Sequence, residues 1–392
     1  MKKIKKSELY ICIFYVFSAM VMFEPKIFTQ FSVTTYLFAA LNVLVFCLLI
    51  YQKIKYNEKF NITILLFIVF RIYYLFIMFV NDVFSDIDKW GYLTIMSLNF
   101  FLIFERAYKK KSIDSLIKSC VIVLTLYLII NAITLLFCKR GIIPSDNIFD
   151  TGEGDFYFLG NKTAYTTYAL IAILFGFIKY NFDNKKYHLI ITLFFALFNI
   201  VYAQITTAMI ICILFVLYYI FAKKYKFNIF LTILIPIVIF IAVVFFNIQE
   251  YFSFIIVNVF HKSTDLTSRT IIWSHAISRI FDSNTLFLFG HGIVNDGMFV
   301  NVNGVNWQSH NQYLQLLFEV GLFGLLFFLF IIISCEKNKQ KNKNYYLILS
   351  MLFAFLIGGI ATQIFEIANS YAIIASLLFY DGITCNRGTG KI

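Results

Sequence analysis

Residues 60–80 read FNITILLFIVFRIYYLFIMFV, an apolar run with a single charge, Arg71. About 20 apolar residues, rising 1.5 Å each as a helix, cross the roughly 30 Å hydrocarbon core of a bilayer. In lipid a lone segment satisfies its backbone only as a helix. Arg71 is the twelfth of these 21 residues. It therefore falls near mid-bilayer, where a charge costs about 2.5 kcal/mol or more unless it faces a cavity or a partner. Comparable runs lie at 9–23, 33–51, 90–104, 116–138, 164–178, 188–202, 205–222, 228–247, 313–334, 345–365 and 369–384. Those at 90–104, 164–178 and 188–202 are short and require extension or tilt to span.

The composition agrees. Of 392 residues, 60% are hydrophobic, 20% aromatic and only 14% charged, with a mean hydropathy of +0.80. A soluble fold carries about 25% charged residues, so this chain lacks the polar groups to cover a water-facing surface. Three Pro and 17 Gly without a period exclude collagen and low-complexity disorder. Cysteines 12, 47, 120, 138, 212, 335 and 385 show no Cys-x-x-Cys and fall mostly within runs, as apolar fillers. The expectation is an all-α polytopic membrane protein with about twelve transmembrane helices, residues 1–392 forming a single integral membrane domain.

A net charge of +12 invites a polyanion partner, but its distribution does not. Lys2, Lys3, Lys5 and Lys6 precede the first run, and the alternate loops carry Lys53, Lys55, Lys59; Arg106, Lys109, Lys110, Lys111, Lys118; Lys179, Lys185, Lys186; Lys223, Lys224, Lys226; and Lys337, Lys339, Lys341, Lys343. With Arg387 and Lys391 in the tail, 24 of the 33 basic residues share one side, while 14 of the 21 acidic residues take the other. By the positive-inside rule both termini are cytoplasmic, as in a multi-pass protein of a bacterial inner membrane, and no nucleic acid is expected. The first run is expected to be retained, since Glu24-Pro25-Lys26 follows it without a small-residue cleavage site.

Polar residues collect on the opposite side. Residues 139–163 form a medium loop and 248–312 a large extracytoplasmic one, holding four of the five His (261, 275, 291, 310) with Arg269 and Arg279. A long loop set among short ones usually carries function. Two of its segments, 248–262 and 268–282, read as amphipathic helices on the membrane surface, the second with an apolar face of Ile271, Ile272, Trp273, Ala276, Ile277 and Ile280. Ser309-x-x-Gln312 reads as a capping box opening the 313–334 helix, whose positive dipole end faces outward. Asn311, Gln315 and Glu319 recur every fourth residue as one polar stripe, while Gly321 and Gly324 allow close helix packing.

Three ordered blocks carry a resemblance: Ser268-Arg269-x-x-x-Trp273-x-x-Ala276, Leu288-Phe289-Gly290-x-Gly292, and Ser309-His310-Asn311-x-Tyr313-Leu314-Gln315-x-x-x-Glu319-x-Gly321-x-x-Gly324. Together they resemble the O-antigen ligase/polymerase superfamily, and more narrowly the Wzy-type polymerases of capsule and O-antigen repeat units. Gly160-Asn161-Lys162-Thr163 also looks like the family's outer loop leading into a span. The resemblance implies a GT-C-like membrane glycosyltransferase that needs no metal or cofactor. Its donor would be a glycan on undecaprenyl pyrophosphate and its acceptor a sugar hydroxyl of another lipid-linked unit, with inversion at the anomeric carbon. Flippase and chain-length regulator proteins would be its partners, beside membrane lipids.

Arg269 matches the family's loop arginine and His310 its histidine. Arg offers a planar fork of donors to a departing pyrophosphate, and a neutral His can take the acceptor's proton. Arg71, Asn311, Gln315, Glu319, Trp273 and Tyr313 are the expected substrate-binding residues. Each has a plainer reading: headgroup anchoring for Arg269, a helix-start residue for His310, snorkelling or a carboxylate partner for Arg71, and an internal hydrogen-bond network for the polar stripe. The chain also departs from the ligases, which carry a second arginine in a Ser-Arg turn between central spans, where this one reads Tyr202-Ala203-Gln204-Ile205-Thr206-Thr207. His261, His275 and His291 read as ordinary loop residues without metal-ligand spacing, and Asp146, Asp150, Glu153 and Asp155 as a solvated acidic loop. Ligation of finished glycan to another acceptor is the second reading and transport of lipid-linked glycan the third. Transporters tend to carry several deep charges and broken helices, whereas this sequence shows one clear mid-span charge. A structural partner role leaves the three blocks unexplained.

Overall fold

The computed structural model describes residues 6–84, 86–144, 155–204, 206–252, 254, 258, 269–293, 298–302, 304–336 and 341–383. Lys2, Lys3, Lys5, Asp146, Asp150, Glu153, His261, Ser268, Gly297, Lys337, Lys339, Arg387 and Lys391 lie outside them, as does most of the helix expected at 248–262. The first part of the chain forms α1 (Lys6–Met22), α2 (Ser32–Lys55), α3 (Ile62–Val80), α4 (Ile87–Lys109), α5 (Ile113–Phe137), α6 (Lys162–Asp183), α7 (Lys186–Ala203), α8 (Thr206–Tyr225) and α9 (Ile229–Val244). The large loop contributes α10 (Arg269–Ile280), α11 (Asn284–Phe289) and a hairpin of β1 (Met298–Val302) and β2 (Val305–Gln308). Then come α12 (Gln312–Ser334), α13 (Lys343–Gly358) and α14 (Tyr371–Leu378).

The described residues are 79% helical, consistent with an all-α polytopic membrane protein. Among the described residues seven helices, α2, α3, α5, α6, α7, α8 and α12, are long and apolar enough to cross a membrane. Stretches within α1, α9, α13 and α14 are apolar but shorter. Asparagine starts many of the helices. Asn61, Asn161, Asn228, Asn311 and Asn342 each accept a bond from a backbone N–H of the first turn, a role for which Asn is among the best residues.

Burial does not follow apolarity. α6 opens with Thr163, Thr166, Thr167, Tyr165 and Tyr168, yet 83% of its central window is buried, against 17% for the more apolar α2. Lipid tails solvate Leu and Phe as well as a protein interior does, so packing and hydrogen bonds select which helix lies inside. The interior bonds are there: Asn131 Nδ2 donates to Asn199 Oδ1 at 2.7 Å, and Asn131 Oδ1 accepts from Leu159 N at 2.8 Å. Phe23, Phe67, Phe70, Phe100, Phe101 and Phe104 are all fully buried in the same hydrophobic core.

Two helices are interrupted where the sequence shows continuous apolar runs. α12 breaks at Gly321 (φ 65°, ψ −174°). The freed carbonyls of Phe318 and Glu319 accept from His291 N at 2.7 Å and Gly292 N at 2.8 Å, so the 288–292 segment seals the gap. The close packing expected of Gly321 is therefore backbone against backbone. A Cβ on Gly290 would meet Gly321 N at 2.5 Å and Glu319 O at 2.6 Å. The run at 345–365 stops as a helix at Gly358 and continues through 3-10 turns at Ile364–Glu366 and Ala368–Ser370 into the short α14. The start of α12 occupies the unwound backbone: Gln312 N donates to Gly359 O at 2.7 Å, Asn311 Nδ2 to Ile360 O at 2.9 Å, and Phe365 N to Gln312 Oε1 at 2.8 Å.

α4 begins deep. Trp90, in its first turn, donates from Nε1 to Arg71 O at 3.0 Å, and Arg71 Nη2 donates to Trp90 O at 3.1 Å. Arg71 lies nine residues before the end of α3, about 13 Å below it at 1.5 Å per residue.

Candidate active site

α10 forms where an amphipathic helix is expected, but it does not lie free on a membrane surface. Its buried residues are Ile272, Trp273, Ala276 and Ile280, which face α12 and β1, while Ile271 is 48% exposed. The reason is Trp273. It is 1% exposed, and its indole N–H donates to Ser309 O at 3.1 Å. That bond pins α10, with Arg269 one turn earlier, against the turn carrying His310.

The hairpin delivers the same turn from the other side. β2 runs straight into Ser309, and Phe299 of β1 stacks on Phe318 of α12 at 3.8 Å. Ser309 and Asn311 are fully buried, and Asn311, not Ser309, is the N-cap of α12, accepting from Tyr313 N at 3.0 Å and Leu314 N at 3.1 Å. The capping box is thus displaced by two residues, because Ser309 Oγ is held by Asn311 O, 2.8 Å away. Between two inward side chains, His310 takes φ 48°, a left-handed conformation that costs an L-residue roughly 1–2 kcal/mol. Such outliers concentrate at functional positions. His310 lies outside the helix, 6.5 Å from the Trp307 ring. Burial, reinforced by the nearby Arg269 charge, pushes its imidazole down to about 4. At neutral pH it is an uncharged base beside a fixed cation.

A chain of polar side chains descends from this turn into the bundle. Gln363 Nε2 donates to Ser309 Oγ at 3.3 Å and Gln315 Oε1 at 2.6 Å, and Gln315 Nε2 donates to Glu319 Oε1 at 2.7 Å. The Tyr74 hydroxyl donates to Glu319 Oε2. Arg71 lies 4.9 Å from the Tyr74 ring and donates from Nε to Thr94 Oγ1 at 2.8 Å. The charges of Lys89 and Arg71 both reach Glu319.

Arg269, Trp273 and His310 therefore come together at the N-terminal end of α12. Arg71, Gln315 and Glu319 belong to a second, deeper part of the same polar column. Asn311 caps the helix, and Tyr313 donates to Leu356 O at 2.9 Å and stacks on Phe240. Both are buried and partnered within the protein. His291 stacks on Phe318 at 5.1 Å, and His275 is exposed. Sequence reading missed Tyr74, Trp90, Thr94 and Gln363. Tyr74 alone left a signal, one helical turn beyond Arg71.

A multi-pass, all-helical membrane protein with a cationic, histidine-bearing turn opening onto a buried polar column is the class these features define. Within it, residues 188–329 match the family described as O-antigen ligase, consistent with the O-antigen ligase/polymerase superfamily. The matched stretch contains Arg269, Trp273 and His310 and continues past the break in α12. No curated protein and no solved structure matches the chain. The family implies polymerase- or ligase-type function by a glycosyltransferase-like membrane enzyme acting on a lipid-linked glycan.

Proposed function

We propose that this protein polymerises oligosaccharide repeat units carried on undecaprenyl pyrophosphate, as a single integral membrane domain whose 248–312 loop bears the active site. Its termini are cytoplasmic and its site faces the outer leaflet of the inner membrane. The observation that carries the reading is the pairing of Arg269 with a neutral His310 at the outer end of α12, inside the family-matched stretch. The acceptor hydroxyl attacks the anomeric carbon of the donor with inversion. Its proton passes to His310 as the bond to pyrophosphate breaks, and Arg269 takes up the charge that develops on the leaving oxygen. No metal is required. The deeper column of Arg71, Glu319 and Gln315 holds the donor's polar end, and Trp273 sets the distance between Arg269 and His310.

The test uses detergent-purified protein, a synthetic undecaprenyl-pyrophosphate repeat unit and no added metal. The wild type is expected to yield a glycan ladder and His310→Ala none. An inactive wild type that moves the lipid-linked unit across liposomes would replace this reading with transport. Ligation is the second reading, favoured by the description of the matched family. It predicts a single transfer that waits for a separate acceptor, with no ladder.

The lowered pKa of His310 fixes a pH profile. The imidazole is neutral above about 4 and protonated below it, and a base works only when neutral. We expect kcat/KM, which reports the free enzyme, to stay flat from pH 8 down to about 5 and to fall near 4. Bound pyrophosphate offsets the Arg269 charge, so the acid limb of kcat lies at higher pH. An acid limb of kcat/KM at 6.5, the ordinary value for histidine, would show that burial and the Arg269 charge do not act on the base in the working enzyme.

A further inference from the structure

We infer that the foot of α1, α2 and α4 is a binding site for the phosphate headgroup of an anionic phospholipid. The groove there is lined by Leu49, Gln52, Lys53, Tyr56, Glu58, Leu102, Glu105, Arg106 and Lys110, at the end of the bundle that carries most of the basic residues. It is far along the chain from the outer turn of His310 and plays no part in the reaction proposed above.

Charge in the groove is unbalanced in a specific way. Lys53 Nζ lies 2.8 Å from Glu105, and Lys109 bridges Glu105 at 3.0 Å and Glu58 at 3.1 Å. Two carboxylates are thus occupied by two lysines. Arg106 and Lys110 rest instead on aromatic rings, Arg106 at 4.3 Å over Phe14 of α1 and Lys110 at 4.5 Å over Tyr56. Arg106 Nη1 is enclosed without a hydrogen-bond partner. A buried guanidinium N–H left unbonded is destabilising, and a phosphate oxygen is the acceptor it fits best.

The surroundings identify what carries the phosphate. Outward faces of the adjoining helices are apolar and exposed, with Tyr10, Ile13 and Phe17 on α1 and Leu44, Leu48 and Tyr51 on α2. A headgroup at Arg106 and Lys110 would have its acyl chains along those faces. Basic pockets between spans on this side of a membrane bind anionic headgroups.

The experiment is native mass spectrometry of the full-length protein in neutral detergent, titrated with phosphatidylglycerol or phosphatidylcholine. Wild type is expected to retain one phosphatidylglycerol in preference to phosphatidylcholine. Arg106→Gln with Lys110→Gln should weaken that retention at least tenfold, and Lys110→Gln alone, at an exposed position, should weaken it measurably with the fold intact. Lys223→Gln with Lys224→Gln removes the same charge at the same end but outside the groove and should leave retention unchanged. Equal loss in both double variants would reduce the effect to general basicity and overturn the site. Displacement of the lipid by low-millimolar inorganic phosphate would overturn the lipid as its occupant.

Discussion

Arg269→Ala is expected to abolish polymer formation while the protein remains in the membrane at normal amount. Removing one group aimed at a developing anion costs about 10²–10³-fold in rate, and Arg269 is the cation the structure sets beside His310. Arg269→Lys keeps the charge but loses the fork that grips two phosphate oxygens together, and should recover only a small part of the activity. The fold is expected to survive the change, because α10 is held by Trp273 and its buried neighbours. A second readout separates catalysis from damage. Without a positive neighbour the His310 proton binds more readily, so the acid limb of any residual activity moves to higher pH. Near-normal polymer from Arg269→Ala would take this residue out of the site.

Gly321→Ala should produce a large loss of stability from one methyl group. Its φ of +65° is strained for any L side chain, and the new Cβ would collide with the backbone of Leu288 and sit 2.5 Å from Phe289 N. Backbone cannot swing aside as a side chain can, so the 288–292 segment must leave α12. The freed carbonyls of Phe318 and Glu319 would then lack partners inside the bundle. Strain and lost bonds together amount to about 3 kcal/mol or more. We expect low membrane yield and a detergent melting temperature many degrees below wild type. Gly91→Ala is the contrasting control: nothing lies within 4 Å of its Cβ, and within α4 the change should be neutral or stabilising by up to about 1 kcal/mol. Equal melting curves for the two variants would show that the seam carries no stability.

The class of fold was legible because apolar runs of spanning length have few alternatives, and Arg269, Trp273 and His310 were legible because their blocks occur in order. The interruptions were not. Nothing in the periodicity of 313–334 distinguishes a glycine that admits a neighbouring helix from one that breaks its own. The displaced cap has a similar cause: Ser309-x-x-Gln312 and Asn311 are both acceptable starts, and contacts with Gly359 and Ile360 decided between them. The hairpin did leave a signal. Asn303-Gly304 between alternating Val and Asn is a turn signature, inside a stretch read only as part of the large 248–312 loop. Arg71 lies at the middle of α3, as its place in the run implied, but its bonds to Trp90 and Thr94 depend on where α4 starts, which no local pattern records.

The low start of α4 bears on how the protein reaches the bilayer. α4 carries Asp88, Lys89, Asn99, Glu105 and Arg106, and it is not among the seven helices long and apolar enough to cross on their own. Helices such as α2, α3 and α5 can partition from the translocation machinery one at a time and associate afterwards. α4 cannot leave water on those terms, because its polar groups find partners in its neighbours: Asn99 donates to Asn42 of α2, Glu105 accepts from Lys53 of α2, and the Trp90 indole donates to Arg71 O of α3. α2 and α3 are therefore expected to stay beside the exit until α4 arrives, the three entering the lipid as one inserting unit.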